Sequence, residues 1–205
     1  MYEQGINPDD FQEVKESRFE KPSDRPHVTI YSDGSYKPQI GYGGYGTLMT
    51  CNNQSMLIYG GSPADSNNRM ELTAVLTALR RLRCPCDVTV ISDSQYVVNA
   101  LNGYIWNWVN NDWKTTKGQP VANQDLWLEM LYLIQIHNVH GEWIKGHNDH
   151  PENTMCDEIA TYGSFRSAGL YPPYKPSRDL LRGKSPGYED VDEIPDYEIP
   201  YRKLR

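Results

Sequence analysis

Four acidic residues occupy positions in the predicted elements where an α/β protein can build an active site. Asp33 lies in or at the end of the first predicted strand, and Asp93 ends a later strand. Glu71 falls in the first turn of an amphipathic helix, and Asp157 lies within the last predicted helix. Because open α/β sheets bind ligands beyond the carboxyl ends of their strands, Asp33 and Asp93 could share one edge of the sheet.

Carboxylates that converge would need cations or protons. Two of them at a separation of about 4 Å repel by about 4 kcal/mol at an effective dielectric constant of ~20, and several such pairs persist only with protonation or bound cations. Oxygen donors alone favour Mg²⁺ or Mn²⁺ over Zn²⁺. Two such ions about 3.5–4 Å apart can activate water and stabilise the leaving oxygen of a phosphodiester. If the four residues converge, they indicate metal-dependent phosphodiester hydrolysis.

Each residue also has a purely structural interpretation, which the sequence leaves open. An aspartate at a strand end commonly caps the turn or helix that follows, and a helical aspartate is commonly just solvated. Asn68 and Glu71, three residues apart, match a capping box. His147 lies in a Lys-Gly-His loop, where it could shuttle a proton or help to release product and metal, or be an ordinary surface histidine.

The elements that must position these residues alternate along the chain. Runs of β-branched residues predict strands at residues 27–32 and 87–92, the second of them central and buried on both faces. Apolar residues at helical spacing predict a helix over residues 67–82, with Asn67 and Asn68 at its N-cap. The remaining predicted elements are a hairpin of residues 47–50 and 56–59, helices at 97–101, 123–137 and from 151 onward, and a strand at 139–144. This order predicts an α/β fold with a five-stranded mixed sheet flanked by helices.

Composition divides the chain into three segments and excludes some classes of protein. Residues 1–26 form a polar extension, residues 27–163 the domain that carries the acids, and residues 164–205 a tail rich in proline and tyrosine, predicted to be extended or disordered. The formal net charge of −7 is not typical of a nucleic-acid-binding protein. No apolar run approaches a membrane span or the core of a signal peptide, so we expect a soluble cytoplasmic protein.

Seven short motifs follow one another between about residues 28 and 160. They are Asp33-Gly34-Ser35 with Gly43-Gly44-Tyr45-Gly46, Asn67-Asn68-Arg69-Met70-Glu71-Leu72, Asp93-Ser94-Gln95-Tyr96, Trp113-Lys114-Thr115, Asp125-Leu126-Trp127, Trp143-Ile144-Lys145-Gly146-His147, and His150-Pro151-Glu152-Asn153 with Cys156-Asp157-Glu158. In order and spacing the series resembles the ribonuclease H type 1 family, close to its bacterial members. Any one motif is weak, whereas the ordered series is specific.

The resemblance implies a ribonuclease H-like fold and an endoribonuclease that hydrolyses the RNA strand of RNA–DNA hybrids, leaving 3′-hydroxyl and 5′-phosphate ends. The catalytic residues that it implies are four acids and a histidine, namely Asp33, Glu71, Asp93, Asp157 and His147. The acids would hold two Mg²⁺ ions, for which Mn²⁺ substitutes, and the histidine would assist turnover. We expect a monomer that removes primers or hybrids during DNA replication.

The same resemblance implies contacts with the hybrid, in part through residues that depart from the family pattern. Such contacts read 2′-hydroxyls and base edges in the shallow groove, which distinguishes RNA from DNA. The residues implied are Gly34, Ser35, Gln39, Ser66, Asn67, Asn68, Gln95, Trp108, Trp113, Lys114 and Lys145. Gln39 stands where the family often has asparagine, and the run from Trp108 to Trp113 lacks the family's basic residues and contains Asp112. Fewer phosphate contacts predict weaker binding and a shallower salt dependence.

Two other functions stay open on the sequence. DNA nucleases of the integrase and transposase type share the broad fold, but the Asn67-Asn68 pair and Gln95 fit RNA sensing better than strand transfer. A non-catalytic module that binds hybrids and recruits partners is favoured by the depleted basic run and opposed by the intact acids. The tail at residues 164–205 could dock a protein partner, occupy a groove of the domain, or be a solvated extension.

Overall fold

The structure, a computed structural model, describes residues 24–64, 66–146 and 150–172. The strands are β1 (His27–Lys37), β2 (Tyr42–Cys51), β3 (Gln54–Pro63), β4 (Asp87–Ser92) and β5 (Asn138–Trp143). The helices are α1 (Asn67–Leu79), α2 (Gln95–Asn99), α3 (Ile105–Val109), α4 (Gln124–Ile136) and α5 (Pro151–Ser167), with a π-helical turn (Ala100–Tyr104) between α2 and α3. The strands pair in the order β3-β2-β1-β4-β5, which confirms the predicted five-stranded mixed sheet flanked by helices.

Strand β1 lies at the centre of the sheet and is longer than predicted. The prediction ended at residue 32, whereas β1 continues to Lys37 because its antiparallel partner β2 extends beside it. On its other side β1 runs parallel to β4, with Tyr31 opposite Ile91. The extension places Asp33 and the two residues after it inside a strand, where pairing fixes the course of the backbone.

Strand β4 is an interior strand, as predicted, but it is not buried on both faces. Val88 and Val90 are buried in the core, whereas Thr89 and Ile91 are only half-buried. A continuous run of apolar and β-branched residues suggested two covered faces. The second face is covered incompletely, and the run of residue types does not reveal that.

Strands β2 and β3 form the predicted antiparallel hairpin and extend it in both directions. The turn consists of Asn52 and Asn53, both at positive φ (48° and 62°), a conformation that asparagine tolerates and that matches the twist of a hairpin. Further along β2, a Cβ atom on Gly44 would lie 2.5 Å from the backbone nitrogen of Ser164. Glycine at this position therefore lets α5 pack directly on the backbone of β2.

Helix α1 buries the predicted apolar face and is shorter than predicted. Its buried apolar residues include Leu72, Val75, Leu76 and Leu79. The helix ends at Leu79, whereas the prediction extended to residue 82. Beyond Leu79 the backbone tightens, since Arg81 N donates to Ala78 O at 3.0 Å and Leu82 N donates to Leu79 O at 3.2 Å, three residues back in each case.

The cap of α1 differs from the prediction. Its N-cap is Ser66, whose Oγ accepts a hydrogen bond from Arg69 N at 3.4 Å. The predicted N-cap at Asn67 or Asn68, and the capping box built on it, are therefore wrong. Asn67 is instead the first helical residue, and its Oδ1 accepts a hydrogen bond from Tyr36 N of β1 at 2.7 Å.

The tryptophan-rich segment (residues 103–119) is more helical than predicted. The helix predicted at residues 97–101 begins at Gln95 and continues through the π-helical turn into α3, with Gly103 at φ 155° between them. Helices α4 and α5 and strand β5 lie close to their predicted ranges. Helix α5 begins at Pro151, as predicted, and runs to Ser167, beyond the predicted domain boundary at residue 163.

Three expectations concern residues that the structure describes only in part or not at all. Most of the predicted extension at residues 1–26 and of the predicted tail at residues 164–205 lies outside the described residues, and so does His147. In the part of the chain that the structure describes, no helix combines the length and the apolar character needed to cross a membrane.

Candidate active site

The parallel pairing of β1 and β4 brings two of the four acids together. Tyr31 lies opposite Ile91, and two residues further along each chain come Asp33 and Asp93. Neighbouring strands are about 4.8 Å apart, so the two aspartates lie side by side where the pairing of β1 with β4 ends. The sequence predicted that they would lie together at the carboxyl ends of their strands, but Asp33 lies inside β1, where it pairs with Gly46 of β2.

Gly34 lets the third acid approach the first two. A Cβ atom at Gly34 would lie 2.7 Å from Glu71 Cα and would overlap the backbone of the first turn of α1. Without a side chain there, α1 starts directly against β1, and Glu71 comes next to Asp33. Ser94, the residue after Asp93, donates a short hydrogen bond from Oγ to Glu71 Oε2 and so aims that carboxylate at the same place.

Helix α5 supplies the fourth acid. Cys156, the residue before Asp157, is completely buried and donates a hydrogen bond from Sγ to Tyr31 O at 3.4 Å. The glycines of β2 allow the backbone of α5 to approach the sheet, since a Cβ on Gly46 would lie 2.5 Å from Ile159 Cγ1. Asp157 is therefore held over the middle of β1, near Asp33.

The pKa values of two of these acids reflect their surroundings. Burial, followed by the charges of Asp93 and Asp157, raises the pKa of Asp33 to about 8, against the opposing effect of the hydrogen bond from Gly34 N (2.7 Å to Oδ1). Burial also raises the pKa of Glu71, with Asp93 adding to the effect and Ser94 opposing it. Two partly buried carboxyl groups with raised pKa values, next to two further acids, favour a bound cation.

The carboxylate oxygens fit Mg²⁺ ions that substrate and water also coordinate better than they fit a metal ion enclosed by protein ligands alone. Within residues 24–64, 66–146 and 150–172, no three histidine, cysteine or acidic side chains are arranged to hold one ion among them. Mg²⁺ keeps several waters and is commonly bound through one or two carboxylates together with substrate phosphates. The four carboxylates therefore suit ions that are completed by substrate and water, in place of a closed protein cage.

Strand β5 and the loop that follows it contribute two contacts that the sequence did not predict. Trp143, at the end of β5, donates a hydrogen bond from Nε1 to Asp93 O at 3.0 Å while 48% of its surface stays exposed. Gly146 packs against the Asp93 carboxylate so closely that an added Cβ would overlap Oδ2. The loop that leads from β5 toward His147 thus begins beside the acids, although His147 itself lies outside the described residues.

The residues implied in hybrid contacts differ in accessibility. Those exposed to solvent are Gln39, Asn67, Asn68, Gln95, Lys114 and Lys145, and those less accessible are Gly34, Ser35, Ser66, Trp108 and Trp113. Ser35 is buried, and its Oγ accepts a hydrogen bond from Thr161 Oγ1 at 3.4 Å. Trp108 and Trp113 pack against the hydrophobic core. The exposed amides of α1 and α2 therefore flank the acids, whereas several other predicted contacts serve packing in this structure.

Ser94 and Trp143 are the site residues that the sequence left unassigned. Ser94 occurs in the Asp-Ser-Gln-Tyr motif, so its place next to Asp93 was a usable signal. Trp143 likewise occurs in the motif that ends at His147, but the motif does not reveal its bond to Asp93, which joins residues that are 50 positions apart.

Comparisons with known proteins point to one family of enzymes. A model of the RNase H family matches residues 25–165. Ribonuclease H of Actinobacillus succinogenes is 42% identical over 140 residues, which are 68% of this chain and 91% of that protein. Ribonuclease HI of Pasteurella multocida is 44% identical over 137 residues, which are 67% of this chain and 89% of that protein.

A solved structure shows the same fold at greater sequence distance. LC9-RNase H1, a type 1 RNase H, superposes with a TM-score of 0.61 at 22% identity, over 82% of this chain and 100% of that chain. The family model covers well over half of the chain, and the bacterial relatives match along most of their length. The chain therefore belongs to the ribonuclease H family of enzymes, in its bacterial ribonuclease HI group.

Proposed function

We propose that this chain hydrolyses the RNA strand of RNA–DNA hybrids internally, with two Mg²⁺ ions, and leaves 3′-hydroxyl and 5′-phosphate ends. The observation that carries the proposal is the convergence of four carboxylates beside β1, where burial, together with the charges of the other three acids, raises the pKa of Asp33 to about 8. The family to which the chain belongs and the names of its relatives support the substrate.

The chain's own residues hold and aim the reacting groups. Asp33 and Asp93, from neighbouring strands, and Glu71, anchored by Ser94, would bind metal together with Asp157. When bound, Mg²⁺ or Mn²⁺ would supply activation of a water molecule and stabilisation of the leaving oxygen. Trp143 donates from its indole N–H to the backbone carbonyl of Asp93 and so helps to fix the position from which that side chain projects.

Recognition of the RNA strand would rest on exposed amides next to the acids. Asn68, in the first turn of α1, and Gln95, in the first turn of α2, are both exposed on either side of Glu71 and Asp93. Amide side chains both donate and accept hydrogen bonds, as reading of a 2′-hydroxyl requires. His147 would assist turnover from its loop, and Lys114 and Lys145 would contact phosphates.

The proposed setting is the removal of primers or hybrids in the cytoplasm during DNA replication, by a monomer. The names of the bacterial relatives support the ribonuclease H activity on which this setting rests. The net charge of −7 and the absence of lysine and arginine between Trp108 and Trp113 make us expect weak phosphate contacts. The salt dependence of hybrid binding should accordingly be shallow.

The test is cleavage of an end-labelled hybrid with Mg²⁺, with Mn²⁺ or with EDTA, beside double-stranded RNA and DNA. We expect only the RNA strand of the hybrid to be cut, and only with metal. Asp93→Asn should lower the rate by about three orders of magnitude or more, since it removes charge at the proposed metal site. Asp87→Asn is the matched control, because Asp87 lies at the opposite end of β4, where Asn138 Nδ2 donates to it at 3.2 Å.

Each result decides between the alternatives. Near-normal activity in Asp93→Asn with metal present would overturn the two-metal assignment. Binding of the hybrid without cleavage under any metal would make the chain a binding module. Equal loss of activity in Asp87→Asn would show that the effect of Asp93→Asn reflects folding and not chemistry.

A further inference from the structure

A chain of hydrogen bonds runs along the start of α4. Arg69, on α1, donates from Nη1 and Nη2 to Asp125 Oδ1 and Oδ2 at 3.1 and 2.6 Å, and Nη1 also reaches Asn123 Oδ1 at 3.3 Å. The hydrogen bonds from Arg69 hold the pKa of Asp125 below its ordinary value. This two-point geometry is the kind that only arginine provides, because the guanidinium group is a planar fork.

Asn123 continues the chain of hydrogen bonds toward α2. It occupies the N-cap position of α4, yet its side chain makes no capping hydrogen bond, and its backbone is left-handed at φ 56°. Its Nδ2 instead donates to Tyr96 Oη at 3.5 Å. Asparagine is favoured at helix N-caps because it can cap them. Here the side chain bridges α1 and α2.

Tyr96 ends the chain of hydrogen bonds inside the aromatic cluster. Its hydroxyl donates to Ala122 O at 3.0 Å and accepts from Trp127 Nε1 at 2.7 Å. The rings of Tyr96 and Trp127 lie 5.4 Å apart, and Trp108 of the tryptophan-rich segment lies 5.2 Å from Trp127. The bridge is therefore anchored on Trp127, which is completely buried.

The two ends of this bridge lie next to the amides proposed to read the hybrid. Arg69 follows Asn68 on α1, and Tyr96 follows Gln95 on α2. On the far side of α1, Asn67 Oδ1 accepts from Tyr36 N at 2.7 Å, which ties the same turn to β1. The first turn of α1 is thus held from both sides. It is connected to α2 by the bridge at the start of α4 and by the hydrogen bond from Ser94 Oγ to Glu71 Oε2.

A second ion pair joins the same two helices without reaching the site. Arg80 donates from Nε and Nη2 to Glu129 Oε1 and Oε2 at 2.5 and 2.6 Å. The side chains of Arg80 and Glu129 are 21% and 14% exposed, whereas those of Arg69 and Asp125 are 32% and 59% exposed. Exposed ion pairs contribute little to stability, so loss of the pair at the start of α4 should cost less stability than loss of the pair at Arg80.

We infer that Arg69 and Asp125 are positioning residues for hybrid binding. With Asn123 they fix the spacing between the first turns of α1 and α2, and hence between Asn68 and Gln95. The start of α4 acts as a template that keeps the two amides at the separation that one hybrid groove presents. This inference rests on the proposed function and adds to it a set of residues that do not touch the substrate.

The test compares the two ion pairs by steady-state kinetics on one hybrid at fixed salt and Mg²⁺. For Arg69→Lys and Asp125→Asn we expect KM to rise about 5-fold or more, the lower end of typical coupling between sites, with kcat within about 2-fold. The KM of the double variant should be no higher than the higher of the two single-variant KM values, because both substitutions break the same interaction. The controls Arg80→Lys and Glu129→Gln should lower Tm and leave KM unchanged.

The sign of the Asp125→Asn effect separates positioning from general electrostatics. Loss of an acid from an anionic protein should strengthen attraction to nucleic acid and lower KM. Positioning requires the opposite, a higher KM. A lower or unchanged KM in both variants, or a rise that Arg80→Lys reproduces, would overturn the inference. Absence of cleavage by the unmodified chain would refute the proposed function instead, so the two failures are distinguishable.

Discussion

The two ends of strand β4 differ in whether their acidic side chains have hydrogen-bond partners or lie beside other acids. At its start, Asp87 Oδ1 accepts a hydrogen bond from Asn138 Nδ2 at 3.2 Å, and the aspartate has a matched partner. Just past its end, Asp93 lies beside Asp33, whose pKa burial and neighbouring charges raise to about 8. One end of the strand satisfies its polar groups, whereas the other gathers charges that a proton or a cation must neutralise.

The residues around each end follow the same division. Beside the start of β4, Cys86 N donates to His137 Nδ1 at 3.3 Å, and Asn138 N donates to Cys86 O at 2.9 Å. At the other end, helices and loops press backbone against the acids, as at Gly34 and Gly146. The difference indicates where stability has been given up for function, since sites with unfavourable charge persist only when the surrounding structure holds them together.

The largest expected effect comes from filling the space at Gly34. Gly34→Ala places a Cβ 2.7 Å from Glu71 Cα, so we expect the free energy of unfolding to fall by about 3 kcal/mol through overpacking. Cleavage should fall as well, because Glu71 moves away from Asp33. Gly141→Ala is the control in β5, where the new Cβ would lie 3.2 Å from Val98 Cα. It should cost about 1 kcal/mol or less.

Urea denaturation and hybrid cleavage measure both glycine variants. Equal losses of stability in Gly34→Ala and Gly141→Ala would show that the protein packs no more closely around Gly34 than around Gly141. A Gly34→Ala variant with full activity would contradict the account of how α1 brings Glu71 to the site.

The contrast between these glycines shows how far sequence reasoning reached. The sheet, the hairpin and the proximity of Asp33 and Asp93 followed from apolar periodicity, because strand order and parallel pairing constrain which residues can meet. The requirement for glycine at position 34 did not follow. It arises from a contact with a helix that starts more than thirty residues later, and no local pattern records that approach.

The same limit explains the errors in the prediction of caps and contacts. Ser66, Asn67 and Asn68 are all plausible N-caps, and only the nearby N–H of Tyr36 drew Asn67 away from that role. The hydrogen bond between Ser94 and Glu71 joins residues 23 positions apart. Residue type and spacing thus located the acids, while the partners that orient them depend on tertiary packing.

A smaller effect is expected from neutralising Asp33. The folded-state pKa of about 8 lies above the ordinary 3.8, so the folded protein holds this proton more tightly than the unfolded chain. The associated stability is fully present below pH 4 and is lost as the pH rises toward 8. Without metal at pH 7, Asp33→Asn should therefore gain about 1 kcal/mol, a rise in Tm of ~2–4 °C.

Added Mg²⁺ sharpens the test of Asp33. Cation binding should raise the Tm of the unmodified chain at pH 8, since it offsets the repulsion among the acids. The rise should be much smaller in Asp33→Asn, which lacks one of the charges that attract the ion. Asp87→Asn, at the matched end of β4, should respond to Mg²⁺ as the unmodified chain does. The same Mg²⁺ response in all three proteins would contradict a metal site at Asp33.

The smallest effect is expected at the opposite end of β4 and should have the opposite dependence on pH. Burial lowers the pKa of His137, with a further contribution from Arg25, so the folded protein binds this proton less tightly than the unfolded chain. Stability from His137 is present above pH 6.5 and is lost as the pH falls through the folded-state value. His137→Gln, whose amide oxygen can still accept from Cys86 N, should lose less stability on acidification, by a difference of about 0.5–1 kcal/mol.

Urea denaturation between pH 5 and 8 measures this slope, with His140→Gln as control because His140 is exposed on neighbouring β5. The control should follow the unmodified chain at every pH. Identical slopes in His137→Gln and the unmodified chain would mean that the start of β4 is not the satisfied end, and the contrast with Asp33 would fail. Opposite slopes would show that the surroundings of the end of β4 bind a proton on folding, whereas those of its start exclude one. A search for bound cations would then be confined to the first.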